Sequence, residues 1–319
     1  MTATREQRIE KALFRGGCLT LQNSEYVREV RTFTDAFLRV DLGPRDLTVE
    51  ALGIKDKPAS ALILARESGV AAGLEEWAFM LRGLGVAADF EKKDGESFQR
   101  GDALLRLEGT QGKLLSFERV GLNLLQRMSG IATAARRLQD RARRRCPSVR
   151  VVATRKTPWG LLDKRAVHLG GGGTHRIGLG DAILIKNNHL ALLANREEEA
   201  APMAIERAWG FRKASAFIEV EVRGEAAALA AGKLFSKLQE DAGEEYPCLL
   251  LLDNLTPEEI RSIVDALRRE RLWEHVLIEA SGGISETNLE AYAECGVDAI
   301  SVGALTHSAR ALDLSQRIS

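Results

Sequence analysis

The sequence predicts an α/β protein in two parts, a smaller α+β module followed by a β/α barrel. Six short, nearly all-apolar runs, 149–153, 181–185, 217–222, 248–252, 276–280 and 299–302, succeed one another in the second half. Most are separated by helix-like stretches at 196–211, 224–238, 257–271 and 286–295. Continuous apolar runs alternating with helices indicate buried parallel strands, which form either an open doubly wound sheet or a barrel. The polar residues at the run ends decide between the two. They are Thr154-Arg155-Lys156, Lys186, Glu221, Asp253-Asn254, Ser281-Gly282-Gly283 and Gly303. A barrel brings the carboxyl ends of all its strands to one mouth, whereas an open sheet uses one switch point and leaves other ends idle. The barrel is favoured.

The part before about residue 115 has a different texture. Short β-like runs at 61–65, 86–90 and 103–107 flank an apolar helical stretch at 74–84, with turn signals at Asp94-Gly95 and Arg100-Gly101-Asp102. From 117 to 145, Val120, Leu124, Met128, Ile131, Ala135 and Leu138 recur at three- and four-residue spacings, which predicts one long helix at the junction.

Composition narrows the function. The 319 residues are 45% hydrophobic and 28% charged, with 45 basic and 45 acidic side chains, so no global field favours nucleic acid or an anionic membrane. Arg141, Arg143, Arg144 and Arg145 close the long helix, where cations suit the dipole and the face is solvated. The four cysteines are far apart with no C-x-x-C pair, so neither a disulfide framework nor structural zinc is expected, and a reducing cytoplasm fits. No apolar run has the length of a membrane span, and no secretory leader pattern is evident.

Cations and glycines gather at the predicted mouth. Arg155, Lys156, Arg176 and Lys186 form a cation set, with His175 beside Arg176. Arg grips a carboxylate or phosphate with two prongs, and Lys acts as a mobile point charge. A single basic residue is ordinarily a solvated surface group. Several at the ends of consecutive strands point to a polyanionic small molecule. Gly170–Gly173 read alone is a turn, whereas Ser281-Gly282-Gly283 and Val302-Gly303-Ala304 end strands that lead toward helices, where backbone N–H groups cradle phosphate. The P-loop and Rossmann nucleotide motifs are absent.

Glu221 and Asp253 are the carboxylates among these strand ends. They could hold Mg²⁺, directly or through water, or stabilise developing positive charge. They could equally neutralise Lys156 and Lys186, and these readings are compatible. Glu219 shares a strand face with Glu221. No Ser–His–Asp or Cys–His set is apparent, which suits a reaction whose nucleophile is the substrate itself.

The motifs resemble those of the quinolinate phosphoribosyltransferases over most of the chain. The resemblance rests on Glu118-Arg119, Ser129-Gly130-Ile131-Ala132-Thr133, Thr154-Arg155-Lys156-Thr157, Gly170-Gly171-Gly172 with His175-Arg176, and Ile185-Lys186 with Asn188-His189. It continues through Glu219-Val220-Glu221, Leu252-Asp253-Asn254, Glu279 with Ser281-Gly282-Gly283, and Val302-Gly303-Ala304. It implies an N-terminal open-faced α/β sandwich over residues 1–118 and an incomplete, TIM-like β/α barrel over 119–319, with the last residues able to pack back on the first domain. It further implies a homodimer, Mg²⁺, and transfer of phosphoribose from phosphoribosyl pyrophosphate to quinolinate with loss of CO₂. Sister enzymes of the same fold act on nicotinate or accompany molybdenum transport.

By motif, Arg119 would enter the neighbouring subunit's site and, with Thr154, Arg155, His175, Arg176 and Lys186, bind quinolinate. Lys156 would face pyrophosphate. Glu221 and Asp253 would face ribose and magnesium, and Ser281, Gly282, Gly283, Val302, Gly303 and Ala304 the 5′-phosphate. Lys156, Lys186, Glu221 and Asp253 would be the catalytic set. Four positions depart from the family pattern: Arg45, Trp159 in a shortened loop after Lys156, Thr174, and Asn187 where Asp is usual.

Overall fold

The computed structural model describes residues 4–54 and 56–318; Met1–Ala3, Lys55 and Ser319 lie outside the described residues. Three helices come first, α1 (Arg5–Leu13), α2 (Ser24–Leu42) and α3 (Leu47–Ala51). After them come β1 (Pro58–Ala65), β2 (Gly69–Val70), α4 (Leu74–Gly83), β3 (Ala87–Phe90), β4 (Ser97–Phe98), β5 (Ala103–Thr110), α5 (Gln111–Ser116) and the long α6 (Glu118–Arg145). The second half runs β6 (Arg150–Val152), α7 (Leu161–Leu169), β7 (Ile183–Ile185), α8 (Asn187–Leu190), α9 (Glu197–Trp209), β8 (Ile218–Val222) and α10 (Glu225–Ala242). It ends with β9 (Cys248–Asp253), α11 (Pro257–Arg269), β10 (Leu277–Ser281), α12 (Leu289–Ala293), β11 (Ala299–Ser301), α13 (Ala304–His307) and β12 (Leu314–Ile318). Every predicted strand is present. The helix expected over 286–295 forms only at Leu289–Ala293.

The chain divides into two compact units, one of residues 4–15, 137–156 and 172–304, the other of 16–136, 157–171 and 305–318. This differs from a single boundary between 118 and 119, because α1 belongs with the later strands and α7 with the earlier ones. The return of the last residues to the first part is observed, with β12 pairing antiparallel to β1 from Ala61↔Ile318 to Ala65↔Leu314.

In the first unit the strand order is β6-β11-β10-β9-β8-β7, all parallel. The first strand of the set pairs with the last, and the others stand in chain order. That is the cyclic order of a barrel; a doubly wound sheet places its first strand in the middle. Between β6 and β7 the wall is bridged at one point, where Val152 pairs with Gly173. There the Ala153 N–H donates to the Gly173 carbonyl at 2.8 Å, and the Gly173 N–H to that of Val151 at 2.9 Å. The barrel is incomplete at this seam. A Cβ on Gly173 would stand 2.6 Å from Val152 Cγ1, so this glycine serves close packing at the seam.

The amino ends of the strands are closed by α1. Ile9, Ala12 and Leu13 pack in one apolar cluster with Val152, Ala182, Phe217, Leu249, Leu277 and Ala299. The helix is started by Thr4, which accepts from Gln7 N–H in a capping box. Arg5 fixes it further, with Nε and Nη2 each donating to the Asp298 carboxylate at 2.6 Å. The floor of the barrel is thus closed by an apolar helix face pinned by an ion pair.

The second unit carries an antiparallel sheet of order β12-β1-β5-β3 with helices packed on it, an α/β sandwich. Its α7 is held by Asp163, wholly buried, which accepts from Arg127 Nε and Nη2 at 2.9 Å each and from the Trp159 N–H at 3.0 Å. Trp159 packs on Phe33 and Phe37, with ring centroids 4.7 and 5.3 Å away, and under Arg127 at 5.0 Å. The tryptophan that departs from the family pattern is thus the anchor of its loop. Gly170 is there for close packing, since a Cβ would lie 2.3 Å from the Ala132 carbonyl oxygen. Among the described residues, no helix is long and apolar enough to cross a membrane.

Candidate active site

Because the six strands are parallel, the residues at their carboxyl ends share one end of the barrel. Thr154, Arg155 and Lys156 come after β6, Lys186 after β7, Glu221 lies in β8, Asp253 and Ser281 close β9 and β10, and Gly303 comes after β11. Arg155, Lys156 and Lys186 are exposed. Thr154 turns its hydroxyl to the chain and accepts from the Lys156 N–H at 3.2 Å, setting the direction of that turn. Lys186 is fixed by its own N–H, which donates to His189 Nδ1 at 2.8 Å.

Arg176 is the buried cation of the set, only 6% exposed. Its Nη1 donates to the Ala182 carbonyl at 3.2 Å, while its Nε has no hydrogen-bond partner. Burial, and then the like charge of Arg155, push its guanidinium below the ordinary value. Arg176 thus carries a buried donor without a partner and feels a like charge from Arg155, with Glu219 and Asp181 acting in the opposite sense.

On the facing side Glu221 is nearly buried. Its Oε1 accepts from Asn187 Nδ2 at 2.6 Å, and Lys186 Nζ stands 3.6 Å from Oε2. The Asn187 departure therefore supplies a donor to the acid, where Asp would repel it. Register sets Glu221 opposite Leu251, so Asp253 lies on the neighbouring strand two residues further toward the carboxyl end. Arg223 Nη2 stands 3.8 Å from both Glu221 Oε1 and Asp253 Oδ2. Of the expected lysine neutralisation, Lys186 is seen at Glu221, and Arg223 is a further cation beside both acids. Sequence reasoning missed Arg223, although it stands only two residues after Glu221.

Beyond the acids the backbone takes over. Gly282 and Gly283 have φ of 91° and 62°, and Asn254 has 57°. The Asn254 N–H donates to the Ser281 carbonyl at 3.0 Å, and Ser301 Oγ donates to Ser281 Oγ at 2.9 Å. Asn288 Nδ2 donates to the Gly283 carbonyl at 3.2 Å. The Val302 N–H is taken by the Val152 carbonyl at 3.0 Å, which fixes the approach to Gly303 and Ala304. These turns at β10 and β11 have the open, glycine-lined backbone a phosphate needs.

His175 lies deeper than its place beside Arg176 in the sequence suggests. It is 5% exposed, and its Nε2 faces Glu219 Oε2 at 2.9 Å and Glu279 Oε2 at 3.2 Å. Glu219 precedes Glu221 by two residues on the same strand face, about 6.6 Å further into the barrel. Burial disfavours a charged ring, but Glu279 and Glu219 outweigh it and raise His175 to about 9. Burial and Glu279 likewise push the Glu219 carboxyl up to about 7. Nδ1 accepts the Arg176 N–H at 2.8 Å, and an imidazolium would set hydrogen against hydrogen there. The two carboxyls favour a proton on the ring, and this contact favours the neutral ring with its hydrogen on Nε2.

Arg119 is exposed near the start of α6, in the other compact unit from these residues.

Comparison with known proteins places the chain. The family Quinolinate phosphoribosyl transferase, C-terminal domain, matches residues 131–317, and Quinolinate phosphoribosyl transferase, N-terminal domain, matches 46–129. A probable carboxylating nicotinate-nucleotide pyrophosphorylase of Methanothermobacter thermautotrophicus is 40% identical, over 88% of this chain and 96% of its own. The carboxylating nicotinate-nucleotide pyrophosphorylase of Mycobacterium leprae is 35% identical, over 84% of this chain and 89% of its own. Among solved structures, the nicotinate-nucleotide pyrophosphorylase of Francisella tularensis superposes with a TM-score of 0.76 at 28% identity, covering 92% of this chain and 97% of that one.

Proposed function

This chain belongs to the quinolinate phosphoribosyltransferase family, and from that premise we propose how its residues carry out the family's reaction. Quinolinate and phosphoribosyl pyrophosphate give nicotinate mononucleotide, pyrophosphate and CO₂, a step of NAD biosynthesis. The observation that carries the assignment of roles is the buried Arg176, whose Nε has no hydrogen-bond partner, in the same barrel as the strand-end acids Glu221 and Asp253.

Quinolinate is a dianion with a weakly nucleophilic ring nitrogen. Arg155, Arg176 and Lys186 hold its two carboxylates, which aims the nitrogen at the anomeric carbon. Lys156 meets the departing pyrophosphate, and the turns at Ser281–Gly283 and Val302–Ala304 hold the 5′-phosphate. Catalysis is then positioning and charge stabilisation. Glu221 and Asp253 ease the cationic ribosyl transition state. Once the nitrogen carries ribose, the pyridinium stabilises the electron pair left as CO₂ departs, so no separate electron sink is needed.

Glu221 and Asp253 also suit Mg²⁺. They are two hard oxygen donors on neighbouring strands, and Mg²⁺ would take the place of the guanidinium that stands 3.8 Å from each. A cation that keeps much of its water and bridges to phosphates asks for no more than one or two carboxylates. When bound it would neutralise charge developing on pyrophosphate.

Incubation with quinolinate, phosphoribosyl pyrophosphate and Mg²⁺ should release nicotinate mononucleotide and CO₂, and EDTA should stop it until Mg²⁺ is restored. Turnover of nicotinate in place of quinolinate would assign the chain to a sister activity. The working unit we propose is a homodimer in which Arg119 serves the neighbour's site. Mixing an Arg119→Ala chain with a Lys186→Ala chain should restore part of the activity each lacks. Mixed dimers that stay inactive would refute sharing. A reducing cytoplasm suits four cysteines of which none forms a disulfide.

A further inference from the structure

We propose that Glu219 and Glu279 are positioning residues for Arg176, acting through His175; this rests on the reading of Arg176 as a quinolinate contact. Glu219 is fully buried, Glu279 is 1% exposed, and both face His175 Nε2. From the ring's other side Nδ1 accepts the Arg176 N–H at 2.8 Å. The backbone between them is held in the left-handed region, with a His175 φ of 53°, and the His175 N–H donates to the Leu13 carbonyl at 2.9 Å. Strained backbone of this kind persists only where its surroundings over-determine it. The ring, pulled inward by two carboxyls, sets the peptide from which the Arg176 side chain departs.

Two other readings are weaker. A barrel layer that only packs is filled by branched apolar residues, and two acids in it are a poor choice for stability. A metal site deserves weighing, because the ligand atoms of His175, Glu219 and Glu279 lie within 4.8 Å of one another and both Glu219 oxygens lack a hydrogen-bond partner. An imidazole that ligates through Nε2 carries its hydrogen on Nδ1 and donates it outward. Here Nδ1 is an acceptor, so Nε2 is a donor and unfit to ligate.

Leucine at 219 or 279 keeps the volume and removes the carboxyl that faces His175 Nε2, while glutamine keeps an oxygen there without the charge. For the leucine variants the KM for quinolinate should rise roughly 10- to 100-fold, the scale of an outer supporting group, with the KM for phosphoribosyl pyrophosphate and the melting temperature little changed. The glutamine variants should stay within about threefold of the parent. A leucine variant with unchanged quinolinate KM, equal rises in both KM values, or glutamine variants as poor as leucine would each overturn the proposal.

Two measurements need no turnover. In ¹⁵N-histidine-labelled protein the His175 ring should be the Nε2–H tautomer, and a Nδ1–H ring would refute the chain of contacts. Elemental analysis of the purified protein, with thermal shifts on adding Zn²⁺ or Mn²⁺, should show no ion at the cluster. A shift lost in Glu279→Gln would replace positioning with metal binding. If the tautomer is as stated while quinolinate is not a substrate, the functional reading fails and the contact chain stands.

Discussion

Arg176→Ala loses catalytic efficiency toward quinolinate by roughly 30-fold to several thousand-fold, the range for truncating one partner of a buried, hydrogen-bonded charge pair. The loss should fall on quinolinate, with the KM for phosphoribosyl pyrophosphate preserved. Stability should not follow activity. The Arg176 side chain donates to the Ala182 carbonyl, and its charge is opposed by Arg155 and favoured by Glu219 and Asp181, so the unliganded chain should lose less in melting temperature than the enzyme loses in activity. Arg176→Lys should recover only a small part, because an ammonium cannot make a two-pronged contact. Steady-state kinetics with each substrate varied, beside thermal melts, checks this. An Arg176→Ala enzyme with the parental quinolinate KM would remove Arg176 from the site.

Gly282→Ala strikes the other substrate. Its φ of 91° is strained for any residue with a Cβ, and that Cβ would stand 2.3 Å from Asn254 Oδ1 and 2.6 Å from the Asn254 backbone nitrogen. The turn has to move away from Asp253 and Asn254 to admit it. A displacement of about 1 Å near the chemistry costs on the order of 100-fold in rate. That penalty should appear with phosphoribosyl pyrophosphate and leave the quinolinate KM near the parent's. Gly283→Ala is the control. Its φ is 62° but nothing lies within 4 Å, so only the left-handed strain of about 1–2 kcal/mol applies. If Gly283→Ala were the more damaging of the two, the cradle would be wrongly placed.

The barrel and its mouth were legible because they are written locally. A buried parallel strand is an apolar run, and its functional end is the polar residue that breaks the run, so Lys186, Glu221 and Asp253 could be picked out one at a time. What escaped was whatever depends on distant partners. Helix α1 has only Ile9, Ala12 and Leu13 to mark an apolar face, and its partners lie between Val152 and Ala299. Arg223 looked like any residue after a strand, yet it stands between both acids. Glu279 sits inside an apolar run with no local sign that a histidine a hundred residues earlier faces it. His175, read as a mouth residue, turned inward because Glu219 and Glu279 supply partners there and Leu13 holds its backbone.

The floor made by α1 has a consequence for how the protein is made. The helix leaves the ribosome before any strand it covers, the last of which is β11 at Ala299–Ser301, and β6 waits for that same strand to pair. Everything from α1 to β11 must therefore be synthesised before the barrel can close, and until then Ile9, Ala12 and Leu13 have only partial cover. Folding dominated by such distant pairings is slow and leaves apolar surface open to other chains. The nascent barrel is the part of this protein most in need of a chaperone, and the last of its strands to emerge completes both its wall and its floor.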